Sequence, residues 1–375
     1  LARVAADIAL GQLPGWVPDI VHAHDWQAGL VPVYLHHTRG VTAPPTVFSI
    51  HNIAYQGVFG AGVIADLGMG GHENMFHREE LAAGRVNFLR TGILYADAIT
   101  TVSETYAREI QTPEYGMGME DTLKGRGGSV TGILNGVDYS IWSPEHDGNI
   151  ARQYSADDLE GKLVNRDRLL QDLDLEPEPS GPVLGIVSRL AAQKGFELMF
   201  GVLPEILGGQ DVRLVVLGSG AESYESYFAT LQLEFPGKVC FYRGFNGALA
   251  HLIEAGSDIF LMPSRFEPCG LPQMVSPKYG SLPIAHDTGG IHDTVTPLQV
   301  DSDTGNGFLF QHFNSFGLRW AIDQALHFHR LPESTRLRHI SRIMTEAKER
   351  FNHENTAREY IKLYEQILQR PVVAG

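Results

Sequence analysis

Arg265, Glu267, Cys269 and Gly270 sit within six residues of one another, just after the apolar run Ile259-Phe260-Leu261-Met262 and Pro263. Polar and small residues on a tight turn behind a buried strand occupy the place where open α/β sheets bind ligands. A carboxylate held there accepts hydrogen bonds from hydroxyls, as a sugar offers. The plainer alternative is that Glu267 is an acid complementing the dipole of the helix that starts near Leu271. One unit further on, Leu282-Pro283-Ile284-Ala285 reads as another short buried strand, followed by Asp287-Thr288-Gly289-Gly290. Two glycines at a helix start let backbone amides approach an anion, which the helix dipole favours. Upstream, Arg189 and Lys194 stand five residues apart after the strand-like Val183 to Val187. Two cations on one turn can neutralise a diphosphate leaving group, or they are a solvated surface pair. A carboxylate beside a phosphate cradle is what a sugar phosphate or nucleotide sugar needs.

These turns need elements to hold them. Strand-like stretches recur at Pro45 to Ile50, Ala98 to Ser103, Gly132 to Leu134, Leu214 to Leu217, Val239 to Arg243 and Gly305 to Phe310, most followed by a turn or a helical pattern. Repeated strand-turn-helix units predict doubly wound α/β domains with ligand turns at the carboxyl ends of their strands. The stretch Glu176 to Pro182 is proline-rich and reads as a stiff linker. Thr112 to Gly128 is glycine-rich and reads as an irregular loop. Ser341 to Gln369 reads as one or two long amphipathic helices. The GxG at Gly218-Ser219-Gly220 lacks a third glycine and reads as a tight turn rather than a dinucleotide fingerprint.

The chain has 375 residues, enough for two domains with well-buried cores. A formal charge of −15 argues against nucleic acid as a partner, because phosphate backbones require clustered Lys and Arg. Two cysteines, Cys240 and Cys269, form no disulfide framework, so a reducing cytoplasm is the expected location. No apolar run is long enough to span a bilayer, so no membrane partner is expected. No set of residues has convincing metal-ligand spacing, and no cofactor is expected. Nothing in the sequence signals an oligomeric state.

Pro263-Ser264-Arg265-Phe266-Glu267-Pro268-Cys269-Gly270-Leu271, followed by Thr288-Gly289-Gly290, resembles bacterial glycogen synthases and plant starch synthases, retaining glucosyltransferases that use ADP-glucose. His51-Asn52-Ile53-Ala54-Tyr55-Gln56-Gly57 and Asn135-Gly136-Val137-Asp138 resemble two further signatures of that family, and the likeness runs from near Pro18 to about Ala325. It implies a GT-B fold, two Rossmann-like domains facing a central cleft. The domains are expected at residues 1–165 and 166–340, with helices 341–375 packing back on the first. The implied reaction transfers glucose from ADP-glucose to the non-reducing 4-hydroxyl of an α-1,4-glucan such as glycogen. By resemblance, Arg189 and Lys194 meet the ADP phosphates, helped by the amides around Thr288, Gly289 and Gly290. Glu267 and the turn at Cys269, Gly270 and Leu271 orient the glucose hydroxyls. Asn135 faces the cleft, and Phe245 lies against the adenine, although Phe245 as plain core fits the residues equally well. His51 and Asp25 come from the opposite domain and complete the pocket on closure. On residues alone, Asp25 reads equally as a helix N-cap beside a packed Trp26.

Three features depart from the family. Its Lys-x-Gly-Gly-Leu signature is absent and is expected before Leu1, with part of the first domain. Pro272 replaces the usual Asn or Thr, and Pro277 is expected to kink or shorten the following helix. His286-Asp287 stands where the family usually has Arg, and an acid there weakens the anion field. Two other readings follow from these residues: a non-catalytic glucan- or nucleotide-binding remnant, and a GT-B transferase with another donor or acceptor.

Overall fold

The computed structural model describes residues 1–38, 43–127, 130–177 and 179–372. It resolves into two compact units, Leu1–Leu134 with Thr356–Gly375, and Asn135–Asn355.

In the first unit, β1 (Val21–His24), β2 (Thr46–Ile50), β5 (Ala98–Thr101) and β6 (Val130–Gly132) form a parallel sheet in the order β1-β2-β5-β6. A small antiparallel pair, β3 (Val58–Gly60) and β4 (Arg85–Asn87), stands apart. β2 is buried along its whole length, as a central parallel strand must be, and its sequence has no polar alternation. Helix α1 (Val31–His37) follows β1, and α2 (Phe88–Tyr95) starts where the Asn87 side chain accepts a hydrogen bond from the Arg90 amide. Val86 and Asn87, just before this helix, belong to β4.

The second unit holds a six-stranded parallel sheet in the order β12-β11-β10-β7-β8-β9. Its strands are β7 (Val183–Val187), β8 (Arg213–Gly218), β9 (Val239–Arg243), β10 (Ile259–Met262), β11 (Leu282–His286) and β12 (Phe308–Phe310). Strand order reverses between β7 and β10, so a crevice opens at their carboxyl ends. Helices cover both faces: α3 (Glu160–Asp172), α4 (Met199–Gly209), α5 (Glu222–Glu234), α6 (Gly247–Gly256), α7 (Pro272–Val275), α8 (Gly289–Thr294), α9 (Ser315–His329) and α10 (Glu333–Arg350). One core cluster joins Leu184, Ile186, Leu214, Val216, Leu261 and Ile284 to the helices on one face, and a second joins Val183, Val215, Leu217, Phe260 and Ala285 to α3 and α6 on the other. Alternate residues of the same strands feed opposite clusters, which is the period-two rule at work on a sheet buried on both sides.

The last helix, α11 (His353–Leu368), returns the chain to the first unit at Thr356. There Leu363, with Tyr360, Tyr364 and Ile367, packs on Val47 of β2 and on Ile133, just after β6. The expected boundaries at 165 and 340 therefore shift. The chain leaves the first unit after Leu134, because Ser143 to Asn149 is tied into the second by Asp147, whose carboxylate bonds to His251 at 2.7 Å and Tyr279 at 2.6 Å. Helix α10 also stays in the second unit, packed on the turn Ser276–Tyr279. The proline-rich stretch is not a linker between units: it joins α3 to β7 inside the second, and the Glu176 carbonyl accepts from the buried Arg213 side chain at 2.9 Å. Glu178 of that stretch lies outside the described residues, as does Gly128 at the end of the expected loop, within which Glu120–Lys124 forms a short helix.

Candidate active site

Four segments converge on Glu267. Its Oε2 accepts from the Lys194 ammonium at 2.5 Å and from the Ser264 hydroxyl at 2.9 Å. Lys194 reaches it from a short 3-10 turn, Ala192–Lys194, after β7. That turn is stitched to the loop after β10: the Arg265 amide donates to the Gln193 carbonyl at 2.8 Å, and the Gln193 side chain donates to the Phe266 carbonyl. Gly195 makes the approach possible. Its φ is +70°, and a Cβ there would lie 1.9 Å from the Pro263 carbonyl oxygen, so only glycine fits. Lys194 has three N–H donors, one of them engaged by Glu267. Arg189 is exposed on the same connection.

The third segment is α8. The Gly290 amide donates to the carbonyls of Glu267 at 3.0 Å and Pro268 at 3.2 Å, and a Cβ at Gly290 would lie 2.3 Å from the Cys269 carbonyl oxygen. The glycine pair thus lets two backbones touch. The expected phosphate cradle around Thr288, Gly289 and Gly290 is narrowed accordingly, because the Gly290 amide is directed at this turn. Thr288 is buried, with extended backbone just before α8. Fourth, the Gln273 amide on α7 donates to the carbonyls of Cys269 and Gly270 and to the Thr294 hydroxyl. With a cation, a hydroxyl, an amide and a carboxamide all fixing one six-residue turn, the Glu267 carboxylate is held before any substrate arrives.

Cys269 is buried, and burial pushes its thiol up to about 12, although the Asn135 backbone amide bonds to the sulfur. It is a packed thiol, not a nucleophile. Asn135 thus does lie beside this turn, through its backbone. Leu271 is half exposed at the start of α7. That helix is a single turn followed by the 3-10 turn Ser276–Tyr279, as a proline at position 277 dictates. Phe245 is 92% exposed after β9, which removes the core alternative. Arg265, in the middle of the motif, braces the surrounding structure, pairing with Glu197 at 2.8 Å and stacking over the Phe313 ring. Asp287 pairs with His292 at 2.8 Å, and His286 bonds to the Ser264 carbonyl, its pKa lowered by burial.

In the first unit, Asp25 follows β1 with φ +56°, and its carboxylate accepts the His51 amide at 2.8 Å. This ties the turn after β1 to the turn after β2, the neighbouring strand. His51 Nε2 lies 3.0 Å from His24 Nδ1, and the His24 ring stacks on His22 at 4.2 Å. His22 is bonded to Ser49 at 2.6 Å and Tyr364 at 2.7 Å. Burial, then the neighbouring His24 and His51, lower the His22 pKa to about 4, and burial followed by His51 also lowers that of His24. Asp25 is therefore a brace for the His51 backbone, while the N-cap alternative finds no side-chain cap at this helix.

Among the described residues, no group of three or more His, Cys, Asp or Glu could hold a metal ion, and no helix is long and apolar enough to cross a membrane. Residues 1–125 match the model of the starch synthase catalytic domain, and residues 171–341 that of glycosyl transferases group 1. A glycogen synthase of Desulforudis audaxviator is 41% identical over 362 residues, covering 95% of this chain and 71% of that protein. One from Bacillus subtilis is 41% identical over 355 residues, covering 93% and 72%. The chain belongs to the glycogen and starch synthase family. The catalytic domain of starch synthase IV from Arabidopsis thaliana, bound to ADP and acarbose, superimposes with a TM-score of 0.88 at 34% identity, over 98% of this chain and 76% of that one. The family's GT-B glycosyltransferase fold is thus the fold of this chain.

Within this glycogen and starch synthase frame, two sets of residues escaped the sequence reading. Ser264 and Gln273 flank the motif at three residues before Glu267 and four after Cys269, a spacing that fits a turn clamp. His22 and His24 alternate along β1 at period two, which puts both rings on one side of the strand with Tyr364 across from them.

Proposed function

We propose that this chain carries the machinery of an ADP-glucose-dependent α-1,4-glucan synthase. Glucose passes to the non-reducing 4-hydroxyl of an α-1,4-glucan, such as glycogen, with the α configuration kept. The observation that supports this best is the Lys194–Glu267 contact at the switch point of the second sheet. A cation suited to a departing diphosphate and a carboxylate suited to hexose hydroxyls share one location there, as the reaction requires. The anomeric C–O bond to the β-phosphate breaks and its electron pair leaves with ADP. The acceptor oxygen forms the new bond, and its proton passes to the departing phosphate oxygen. Arg189 and the remaining Lys194 N–H groups offset the growing charge on ADP. The exposed Phe245 ring offers a π face to the adenine. Glu267, with the Cys269-Gly270-Leu271 turn, orients the glucose. The unpaired thiols of Cys240 and Cys269 suit a reducing cytoplasm.

Incubation of the chain with ADP-[14C]glucose and glycogen tests this. Label should enter the polymer and be released as maltose by β-amylase, and UDP-glucose should serve far less well. Absence of label from glycogen, or label resistant to β-amylase, would overturn the reading.

A further inference from the structure

A cavity of about 350 Å3 lies beside helices α6 and α7, lined in part by a buried acid that no role described above uses. Its size falls in the range of small-ligand sites, roughly 300–1,000 Å3. Val137, Trp142, Val187, Pro272 and Val275 give it an apolar wall. Glu254 of α6 lines it too, although that residue is only 4% exposed. Among the described residues, Glu254 Oε2 has no hydrogen-bond partner. The Lys162 ammonium, whose charge Glu254 feels, does not supply one: it donates to the carbonyls of Ala255 at 3.2 Å and of Ser257 and Tyr279 at 2.9 Å. A buried carboxyl oxygen without a protein partner carries the desolvation cost of the group unrelieved, so it marks a place where another molecule completes the bond.

The lining selects the ligand. Burial raises the Glu254 pKa well above the usual carboxylate range, against the smaller opposing effect of the Lys162 charge. The carboxyl is therefore protonated at neutral pH and both donates and accepts a hydrogen bond. One hydroxyl group matches it. A cationic ligand is disfavoured, because the Lys162 charge already acts on this acid. An anion is disfavoured as well: among the described residues no lysine or arginine lines the cavity, whereas the acidic Asp138 does. A polyol is disfavoured because the apolar wall leaves its further hydroxyls without partners. His251 stacks on the Trp142 indole with 3.9 Å between ring centroids and an interplanar angle of 2°, which fixes the indole as a flat surface for an apolar body.

We infer that this cavity is a binding site for a small neutral molecule with a flat apolar body and a single hydroxyl, which pairs with the Glu254 carboxyl. The inference does not depend on the proposed glucosyl transfer. Gly136 and Asp138 of the lining lie just after the chain enters the second unit, and His353 lies just before the chain leaves it. Leu271, which follows Cys269 and Gly270 on the reaction-centre turn, borders the cavity as well. A molecule held there touches the segments next to both chain crossings and the end of that turn.

Naphthalene and 2-naphthol share a flat apolar body and differ by one hydroxyl, so the pair isolates the contact to Glu254. Titrated into the full 375-residue chain, 2-naphthol should bind about tenfold more tightly than naphthalene, the worth of one hydrogen bond. Glu254→Leu, which removes the polar group at similar volume, should bind both molecules with the same affinity. Its affinity for naphthalene should at least equal that of wild type, which shows that the cavity is still formed. Glu254→Gln, which keeps a donor and an acceptor, should retain the tenfold preference. Saturating ADP should leave the affinity for 2-naphthol unchanged. No binding of 2-naphthol by wild type, or a preference for it that survives in Glu254→Leu, would overturn the inference. So would competitive displacement by ADP, which would put the ring in the donor site. Tighter binding of 2-naphthylmethylamine than of 2-naphthol would overturn it too, by making the site one for a cation.

Discussion

Lys194 and Glu267 lie 73 residues apart in sequence, yet their Nζ and Oε2 atoms meet at 2.5 Å at the carboxyl ends of two neighbouring strands. Both side chains are largely shielded, at 19% and 8% exposure. An acid expected to hold a sugar and a base expected to hold a phosphate are therefore each other's first partner.

Removing either partner should cost more than the loss of one contact. Lys194→Ala leaves a shielded carboxylate with Ser264 as its remaining side-chain donor, and breaking such a pair typically destabilises by about 3 kcal/mol when fully buried. Because Lys194 keeps some exposure, about 2 kcal/mol is expected by urea unfolding. The double variant Lys194→Ala/Glu267→Gln should recover part of that stability, since no uncompensated charge remains, but not activity. Glucosyl transfer in Lys194→Ala should fall about a hundredfold or more in kcat, in line with the loss of one charge-stabilising group. Near-normal transfer by this variant would remove the leaving-group role.

Gly290 is irreplaceable for a reason that involves no anion. A methyl group there collides with the Cys269 carbonyl, backbone against backbone, so neither side can yield by a rotamer change. Gly290→Ala should break the amide contact to Glu267 and Pro268 and destabilise the chain by roughly 2–3 kcal/mol, the range for overpacking. Gly201→Ala serves as the control: it is also helical, and nothing lies within 4 Å of its added Cβ. A melting temperature that falls for Gly290→Ala and holds or rises for Gly201→Ala is the expected pair of results.

Phe245 separates binding from folding. At 92% exposure its side chain supports no core, so Phe245→Ala should leave the melting temperature unchanged. If the ring stacks on adenine, its loss should raise KM for ADP-glucose about tenfold, within the roughly 1–3 kcal/mol measured for a base on an aromatic face. Glycogen KM should not move. A drop in melting temperature with no change in donor KM would reverse this assignment.

The strands of the second unit were legible because parallel strands buried on both faces carry an uninterrupted apolar run, as Ile259–Met262 does. The turn residues were legible because Glu267, Gly290 and Lys194 follow such runs directly. The boundary between the units was not. Composition marks Glu176 to Pro182 as a stiff connection, but stiffness says nothing about which core its flanks join, and the burial of Arg213 against Glu176 is a contact 37 residues long. The dual use of Gly290 was hidden for a similar reason: a glycine at a helix start permits close approach by an anion or by another backbone, and only the fold decides which. His22 was overlooked because its partners, Ser49 and Tyr364, are 27 and 342 residues away.

That histidine sets a pH dependence with a definite sign. Both ring nitrogens of His22 face hydroxyls, and its neighbours are His24 and His51, so a positive charge on it is poorly accommodated. Its pKa is lowered from 6.5 to about 4 in the folded chain. Between those values the unfolded chain binds a proton that the folded chain does not, so stability is present above pH about 6.5 and drains away as pH falls through about 4. The full shift would correspond to about 3.4 kcal/mol, and allowing for partial solvent screening about 1–2 kcal/mol is expected. His22→Gln keeps a donor and an acceptor for Ser49 and Tyr364 but cannot titrate. Calorimetry between pH 7 and pH 4.5 should therefore show a shallower loss of melting temperature in His22→Gln than in wild type, by a few degrees. Parallel losses in the two proteins would mean that the proton driving the acid transition binds elsewhere.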